Sequence, residues 1–485
     1  MYKLEFTLKQ HTPIIHFQHD QEGATVRASE VKPKLDRFII EKLTNKNGIA
    51  ALDEFRHKTT KIIKESNTLK DNPYFEDKWL DKLVGKSNEH LALDYKLKIW
   101  TETKPIHKFF FTSNPDSRND QDYKNTVCSE FEAEYISKTQ YFANNSNLKR
   151  NRIESPIDVK LGIQVDVIKA EIVSVNTEII SVLENHLSDF FLSQNFASRQ
   201  SKGFGCFTVD SLNSKSMPFD DKELLNSHSV VYRYNTKITS QIDALQKISH
   251  FYKLMRSGQG NREHGGYKKS LLFLYFVKKS NPIRWEKRKI KQQINSGKFI
   301  YGNKSLGINE DINLTCTYGP CYDASNSKDW NDTPNPFTYK YIRALLGLNE
   351  TLEFLADSII DGTRPDGSPN EVKFKYIAQI KSNNGIERYK SPITCKYING
   401  YIYFCCNQND NKILNSSSNP VSFNIDLRLK KNKKLQDIPA YKKDNLVINL
   451  ETPDQFDISE FLKFCFVDSS VNKIDSFELL QRNDK

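Results

Sequence analysis

Hydrophobic and polar residues alternate at the start of the chain, from Tyr2 to Leu8. A period of two is typical of a strand with one buried face. Apolar positions between Val31 and Leu43 then follow helical spacing, and Ser29 is a suitable N-cap for that helix. The chain is therefore predicted to begin with a half-buried strand and an amphipathic helix.

Further periodic segments complete the first half of the chain. Alternation predicts strands at 91–99 and 159–167, and an apolar stripe from Ile179 to Phe191 predicts a second helix before a strand at Phe207–Val209. The polar stretch at about 101–157 is typical of an insertion. The order strand, helix, strand, strand, helix, strand is the split βαβ pattern of ferredoxin-like folds.

The second half shows the same kinds of pattern with more interruptions. A strand is predicted at Val230–Tyr234, a helix from Ile238 to Met255, and a hairpin around Asn399-Gly400, the strongest short hairpin signal in the chain. Residues 457–467 suit a terminal helix. We predict an α+β fold of two ferredoxin-like (RRM-like, split βαβ) units with antiparallel sheets and large insertions, divided into domains at 1–212 and 213–485.

Composition narrows the class of partner. The 485 residues include 71 Lys and Arg against 60 Asp and Glu, a net charge of +11, and aromatic residues make up 12%. An excess of cations favours an anionic partner, and aromatic residues among cations suit stacking on unpaired bases. Solubility alone could also explain the charge.

The start of the chain lacks the apolar centre of a signal peptide, and no apolar run reaches the length of a membrane span. Its eight cysteines show no framework spacing. We therefore expect a cytoplasmic protein with reduced thiols, no membrane partner and no cofactor.

Glycines and cations are concentrated at the junction 198–207, between the second predicted helix and the following strand. Arg199 and Lys202 precede Gly203, Phe204 and Gly205. Glycine allows a backbone to approach a ligand closely, and both cations suit phosphate. A helix C-cap followed by a turn is the competing interpretation.

A second glycine-rich segment, 256–269, contains Arg262, Lys268 and Lys269. Its amides could form a nest for phosphate, but a solvated loop explains the same composition equally well. It does not match a P-loop.

Histidines form a dense titratable group near the N-terminus, with His11, His16 and His19 close to Asp20 and Glu22. Histidine can act as general acid or base near pH 7, so metal-independent RNA cleavage is one hypothesis. A surface loop that contacts RNA or nothing is the other. The spacing fits no standard metal site, and we predict none.

Three places in the sequence carry a resemblance. The first is His11-Thr12-Pro13 with 26–37, the second is 198–207, and the third is 343–348 with 387–393. They look like the run into the first helix, the glycine-rich loop and a second-half signature of the RAMP proteins of CRISPR systems, and most closely resemble the two-domain Cmr-type subunit of type III effector complexes. The segments occur in the family's order across both halves.

The resemblance implies an RNA-binding, non-catalytic subunit that holds guide RNA, and possibly target RNA, beside other CRISPR effector subunits in antiviral defence. A guide-RNA-processing endoribonuclease using the histidine loop and a protein-binding scaffold are the alternatives. Combining motifs and charge, the predicted RNA-binding residues are Arg27, Ser29, Lys32, Lys34, Arg199, Lys202, Gly203, Phe204, Gly205, Arg262, Lys268, Lys269 and Arg388.

Overall fold

A computed structural model of the protein describes a defined part of the chain. The described residues are 1–15, 26–43, 93–102, 106–111, 135–136, 159–165, 167–260, 267–268, 270–278, 284–286, 289–291, 294, 299–301, 304–306, 339–348, 351–355, 359–363, 367–372, 374–383, 390–406, 421–431, 434–436, 447–453, 456–467 and 477–481.

The chain forms two compact units, and neither is continuous in sequence. Unit 1 comprises Met1–Phe251, Ile393–Asp410 and Asp475–Lys485, and unit 2 comprises Tyr252–Pro392 and Asn411–Ile474. Unit 1 thus contains three segments that the sequence analysis assigned to the domain 213–485.

Within the described residues, six α-helices have defined bounds, and Glu286, 289–291 and 294 are helical as well. The six are α1 (Ala28–Leu43), α2 (Thr177–Ser193), α3 (Leu224–Ser227), α4 (Gln241–Arg256), α5 (Leu271–Lys278) and α6 (Ile458–Phe466). The short 3₁₀ helices are Gln200–Lys202, Asp221–Glu223 and Ile342–Leu346.

The described strands of unit 1 are β1 (Tyr2–Gln10), β2 (Ile14–Ile15), β3 (Lys96–Thr101), β4 (Ile106–Phe111), β5 (Tyr135–Ile136), β6 (Val159–Gln164), β7 (Val167–Ser174), β8 (Phe207–Leu212), β9 (Lys215–Ser216), β10 (Val230–Tyr234), β21 (Ile393–Ile398), β22 (Tyr401–Cys406) and β26 (Phe477–Leu479). Those of unit 2 are β11 (Gln259–Gly260), β12 (Tyr267–Lys268), β13 (Arg284–Trp285), β14 (Phe299–Tyr301), β15 (Lys304–Leu306), β16 (Tyr339–Lys340), β17 (Thr351–Leu355), β18 (Ile359–Thr363), β19 (Pro369–Val372), β20 (Phe374–Ser382), β23 (Ser422–Lys431), β24 (Lys434–Gln436) and β25 (Val447–Glu451).

The first sheet has the order β3-β7-β1-β8-β9, and its pairs are antiparallel. Leu4, Phe6 and Leu8 of β1 pack in one core with apolar residues of α1 and α2. With helices α1 and α2 between the strands, the connectivity follows the split βαβ pattern. The predicted α+β class, with helices and antiparallel sheets, is confirmed.

One predicted strand was wrong. The alternation at 159–167 covers two strands: β6 pairs with β2 and β4 in a separate four-stranded sheet, and β7, which begins at Val167, joins the first sheet. Alternation predicts a half-buried strand but does not identify the strand it pairs with. The continuous alternation was therefore predicted to be one strand, although it covers parts of two.

A second four-stranded sheet in unit 1 has the order β21-β22-β10-β26. Its hairpin turns at Asn399 and Gly400, whose φ angles are 49° and 93°. Positive φ at both central residues is the mark of the type I′ turn, so the predicted Asn-Gly hairpin is confirmed. Through this sheet, β26 near the end of the chain pairs with β10.

Unit 2 is built around a sheet of order β13-β16-β25-β23-β20-β17, with β24 paired to β23. Helix α6 packs against α5, where Tyr275 meets the rings of Phe461 and Phe464. The Asp457 carboxylate accepts hydrogen bonds from the Ser459 and Glu460 amides and so caps α6. The predicted helix at 457–467 is confirmed.

Candidate nucleic-acid interface

The glycine-rich loop, which we define as residues 198–207, connects the end of α2 to β8. Its centre is the 3₁₀ helix Gln200–Lys202, bounded by left-handed residues at Arg199 (φ 61°) and Gly203 (φ 84°). The side chains of Arg199 and Lys202 are partly exposed. Both predicted cations of the loop therefore reach the surface of unit 1.

Gly205 is held on both sides by main-chain hydrogen bonds. Its amide donates to the Pro13 carbonyl at 2.9 Å, and its carbonyl accepts from the Phe196 amide at 2.9 Å. A Cβ at this position would lie 2.1 Å from the Phe196 carbonyl oxygen. The Gly205 amide is thus used within the protein, and the residue is glycine because the backbone of Phe196 leaves no room for a side chain.

Gly203 and Phe204 also face inward. A Cβ on Gly203 would meet Ile248 Cδ1 of α4 at 2.7 Å. Phe204 is buried and packs with Ile15 and Leu245. The ring is enclosed in this core, so its position does not support the predicted contact of Phe204 with RNA. Within the loop, the surface is formed by the segment before Gly203.

The predicted His-Thr-Pro motif lies against the glycine-rich loop. The Cys206 amide donates to Thr12 Oγ1 at 2.9 Å, and the His11 amide donates to the Cys206 carbonyl at 2.9 Å. The Ser198 amide donates to the Ile15 carbonyl at 3.0 Å. Two segments about 190 residues apart, which the sequence analysis singled out as motifs of one family, thus form one hydrogen-bonded structure.

His11 lies inside unit 1. Its Nε2 is 2.8 Å from Thr208 Oγ1, and burial, helped by the charges of Lys9 and Lys396, lowers the pKa of the imidazole to about 3. A histidine in this environment is neutral at pH 7 and buried away from substrate, which does not favour the general acid-base role. His16 and His19 lie outside the described residues.

This burial predicts acid sensitivity. Because the pKa of His11 is about 3 in the folded state and about 6.5 in an unfolded chain, the unfolded state binds the extra proton. The contribution of His11 to the free energy of unfolding is fully present above about pH 6.5. It decreases as the pH falls toward 3, by up to about 1.4 kcal/mol per pH unit. Urea unfolding at about pH 7 and about pH 5 should show a smaller pH dependence for His11→Gln than for wild type. Equal slopes would contradict the assignment.

The start of α1 differs from its prediction. The Arg27 carbonyl accepts from the Glu30 and Val31 amides, so the helix begins at Ala28 and the exposed Ser29 lies within its first turn rather than at the N-cap. The first helical hydrogen bonds start at the Arg27 carbonyl, so Arg27 occupies the N-cap position that was predicted for Ser29. Arg27 is partly exposed at this helix end.

The two predicted lysines of α1 bind groups of the protein itself. Lys32 Nζ donates to Asp36 Oδ2 and to the Leu93 carbonyl, both at 2.9 Å, and lies 4.0 Å from the centre of the Tyr95 ring. Lys34 Nζ donates to a Glu30 carboxylate oxygen at 2.7 Å. These contacts favour structural roles over phosphate contacts for both lysines.

Glu30 connects α1 to the glycine-rich loop. The carboxylate oxygen that binds Lys34 also accepts a hydrogen bond from the Ala197 amide at 2.8 Å. The first turn of α1 therefore lies beside the segment that leads into Arg199. Arg27, Arg199 and Lys202, three of the predicted RNA-binding residues, are partly exposed on these two segments.

Two buried residues that the sequence analysis did not identify, Asn195 and Lys396, hold the glycine-rich loop through hydrogen bonds. Asn195 Nδ2 donates to the Gln200 carbonyl at 2.6 Å and to the Cys395 carbonyl at 2.8 Å. Lys396 Nζ donates to the carbonyls of Phe191 and Gln194 at 3.2 and 3.0 Å and to Asn195 Oδ1 at 3.0 Å.

Lys396 is fully buried, and burial lowers the pKa of its ammonium group. Its donors meet acceptors at the C-terminal end of α2, where carbonyls lack helical partners and a cation is favourable. The only sequence signal was a lysine inside an otherwise apolar hairpin strand, and a local pattern cannot say which acceptors such a lysine meets.

The second-half motif 343–348 lies in the core of unit 2. Arg343 Nε is 2.9 Å from Glu286 Oε1, and both side chains are buried. An Arg256 guanidinium nitrogen donates to the Gly347 carbonyl at 2.6 Å. The motif thus builds the fold of unit 2.

Of the remaining predicted RNA-binding residues, the structure describes one. Lys268 lies in β12, opposite Gln259 of β11. Arg262, Lys269 and Arg388 lie outside the described residues. Among the residues that the structure describes, no group of three or more His, Cys, Asp or Glu side chains could hold a metal ion, and no helix is long and apolar enough to cross a membrane.

Comparison with known families covers nearly the whole chain. The model for the Cmr1 N-terminal domain matches residues 1–259, and the model for the Cmr1 C-terminal domain matches residues 267–484. Both domains define a Cmr-type subunit of type III CRISPR effector complexes. The chain belongs to the Cmr1 family, which confirms the resemblance found in its motifs.

Among solved structures, the crystal structure of apo Cmr1 from Pyrococcus furiosus is similar to this chain. The two sequences are 10% identical, and the match covers 52% of this chain and 72% of the Pyrococcus furiosus chain, with a TM-score of 0.28. No match was found among the curated proteins compared with this chain.

Proposed function

We propose that this effector subunit binds RNA through a surface formed by Arg27, Arg199 and Lys202. The observation that carries the proposal is the glycine-rich loop itself, in which buried glycines and Phe204 hold a short 3₁₀ turn whose two cations remain partly exposed. A cation held by a rigid backbone loses little conformational freedom when it meets a phosphate. Guanidinium and ammonium groups both suit phosphate oxygens.

Charge supports a polyanionic partner for this surface. The chain carries a net charge of +11, and Lys32 and Lys34, the other cations predicted here, bind carboxylates of α1. Arg27, Arg199 and Lys202 are each partly exposed at this edge, and these are the three cations that we propose a phosphate backbone meets. Guide RNA, with target RNA as a further partner, is the polyanion expected in such a complex, and antiviral defence in the cytoplasm is the corresponding role.

The double variant Arg199→Ala/Lys202→Ala tests this proposal. We expect RNA affinity to fall at least about tenfold, because hydrogen bonds to charged groups are among the stronger ones. The slope of log affinity against log salt should flatten by about 0.7 for each lost contact with single-stranded RNA. Fluorescence anisotropy with labelled guide RNA over a range of salt concentrations measures both quantities.

Lys215→Ala/Lys222→Ala is the matched control, since it removes the same charge from exposed positions elsewhere in unit 1. If the two double variants lose equal affinity, net charge rather than the loop decides binding. If neither variant changes the affinity, the loop does not contact RNA.

A further inference from the structure

The first sheet of unit 1 has a second face that the proposed RNA surface does not use. Leu4, Phe6 and Leu8 of β1 point into the core, so their neighbours along the strand point the other way. The register carries this second face across β7 and β3. Its described charged residues are Lys3, Glu5, Lys9, Lys96, Lys98, Glu102, Lys169 and Glu171.

Trp100 lies on this second face, at the β3 side of the sheet. It shares the face with Lys96 and Lys98, because residues two apart in a strand point the same way, while Leu97 and Ile99 pack against the core. The indole is only partly buried. A large aromatic side chain that folding leaves partly exposed on a sheet offers a flat surface for stacking.

Two lysines lie next to Trp100. Lys98 Nζ lies over one face of the ring, 4.9 Å from its centre, which leaves the other face for a base, and Lys169 is directly opposite Trp100 in the register. Thr7, the next residue in that row, is followed by Ser211, and their hydroxyls are 2.7 Å apart. The row across the sheet is thus an aromatic ring, a cation and two hydroxyls.

The charges of the face favour an anion near the indole. Lysines outnumber carboxylates five to three among its described residues. Lys3 pairs with Glu5 and with Glu171, which lies opposite Lys98 in the register, and Lys169 pairs with Glu102 at 2.7 Å. Both partners of that last pair are well exposed, and exposed ion pairs are weak enough to exchange for a phosphate.

We propose that this second face is a binding platform for unpaired RNA, in which a base stacks on Trp100 and Lys98 and Lys169 meet the adjoining phosphates. Stacking on an aromatic ring combined with nearby cations is how proteins hold single strands without reading their sequence. The platform lies on the sheet surface, apart from the glycine-rich loop. This inference rests on the proposed RNA-binding function and adds a second contact to it.

The test compares Trp100→Leu with Trp100→Phe by anisotropy, using a labelled oligouridine as the probe. Loss of one stacked base corresponds to a decrease in affinity of about 5- to 150-fold for Trp100→Leu, and Trp100→Phe should retain much of the binding because it keeps a ring. Tyr2→Leu is the matched control, since Tyr2 is an exposed aromatic residue of the same sheet that points to the other face. Its affinity should equal that of wild type.

Lys98→Ala tests the platform without touching the ring. We expect it to flatten the salt dependence by about 0.7 in slope. An unchanged slope, together with unchanged affinity of Trp100→Leu, overturns the platform. So does an equal loss of affinity in both Trp100 variants with an equal fall in melting temperature, because the indole would then be structural.

Other outcomes separate the platform from the proposed function. If Arg199→Ala/Lys202→Ala weakens binding of the oligouridine and Trp100→Leu does not, the platform fails and the proposed function stands. If wild type does not bind this probe at all, both fail. If Trp100→Leu leaves RNA affinity intact but releases the protein from its effector complex, the face contacts a protein subunit and the platform is overturned.

Discussion

Replacing Gly205 with alanine should lower the free energy of unfolding by about 4 kcal/mol, among the largest effects of a single substitution. Two costs combine. The φ of 66° is a left-handed conformation that alanine rarely adopts, and the new Cβ would lie 2.1 Å from the Phe196 carbonyl oxygen. Since Phe196 and Gly205 are joined by a main-chain hydrogen bond, neither can move without breaking it.

Urea unfolding followed by circular dichroism measures this loss, and Gly400→Ala is the control. Gly400 is also left-handed, with φ of 93°, but its added Cβ would meet the flexible side chain of Lys237 at 2.9 Å and the Ile238 carbonyl oxygen only at 3.3 Å, against 2.1 Å for the carbonyl at Gly205. Its expected cost is about 1–2 kcal/mol, mostly from the backbone conformation. Equal losses in the two variants would mean that the contact with Phe196 does not decide the effect.

Replacing Lys396 with methionine should cost about 3 kcal/mol. Methionine fills the space of the lysine stem but leaves two carbonyls and Asn195 Oδ1 without the donors that Lys396 supplies. Buried acceptors that lose their donors cost about 1–3 kcal/mol in total when the site relaxes. Because Asn195 also holds the Gln200 carbonyl, the glycine-rich loop should loosen, and its amides should exchange hydrogen faster.

The pH dependence offers a second measurement on Lys396. Burial lowers the pKa of its ammonium group below the ordinary value of 10.5, so in that window the unfolded state binds more protons than the folded state. The free energy of unfolding of the wild type should therefore increase as the pH rises from the lowered pKa of Lys396 toward 10.5. Lys396→Met should not show this increase. Lys247→Met, at a partly exposed lysine of the same unit, should cost less than about 1 kcal/mol.

The sequence predicted elements well where burial is periodic. Helix α2, strand β1 and the Asn399-Gly400 hairpin follow from local spacing and turn chemistry, because each depends on residues close together in the chain. It failed at 159–167, since two consecutive strands that join different sheets have the same alternation as one. It could not foresee that the chain leaves unit 1 after Phe251 and returns at Ile393.

The candidate site divides in the same way. Its motifs could be located from glycines and cations, but their roles could not be assigned. Lys32 and Arg199 were both predicted to contact RNA. In the structure, Lys32 donates hydrogen bonds to Asp36 and to the Leu93 carbonyl, and Arg199 is partly exposed in the glycine-rich loop. Phe204 was predicted to contact RNA and is a core residue, whereas Trp100, which was not among the predicted site residues, lies partly exposed on a sheet face.

By itself the sequence determined the class of this protein: the mixed antiparallel fold, the excess of positive charge, and the ordered motifs of the Cmr1 family. Only the tertiary structure decided which glycines serve packing, which histidine is buried, and which cations remain at the surface. The physical reason is that periodicity and turn chemistry act between neighbours in the chain. Burial and hydrogen bonding, as between Lys396 and Asn195, depend on segments some 200 residues apart.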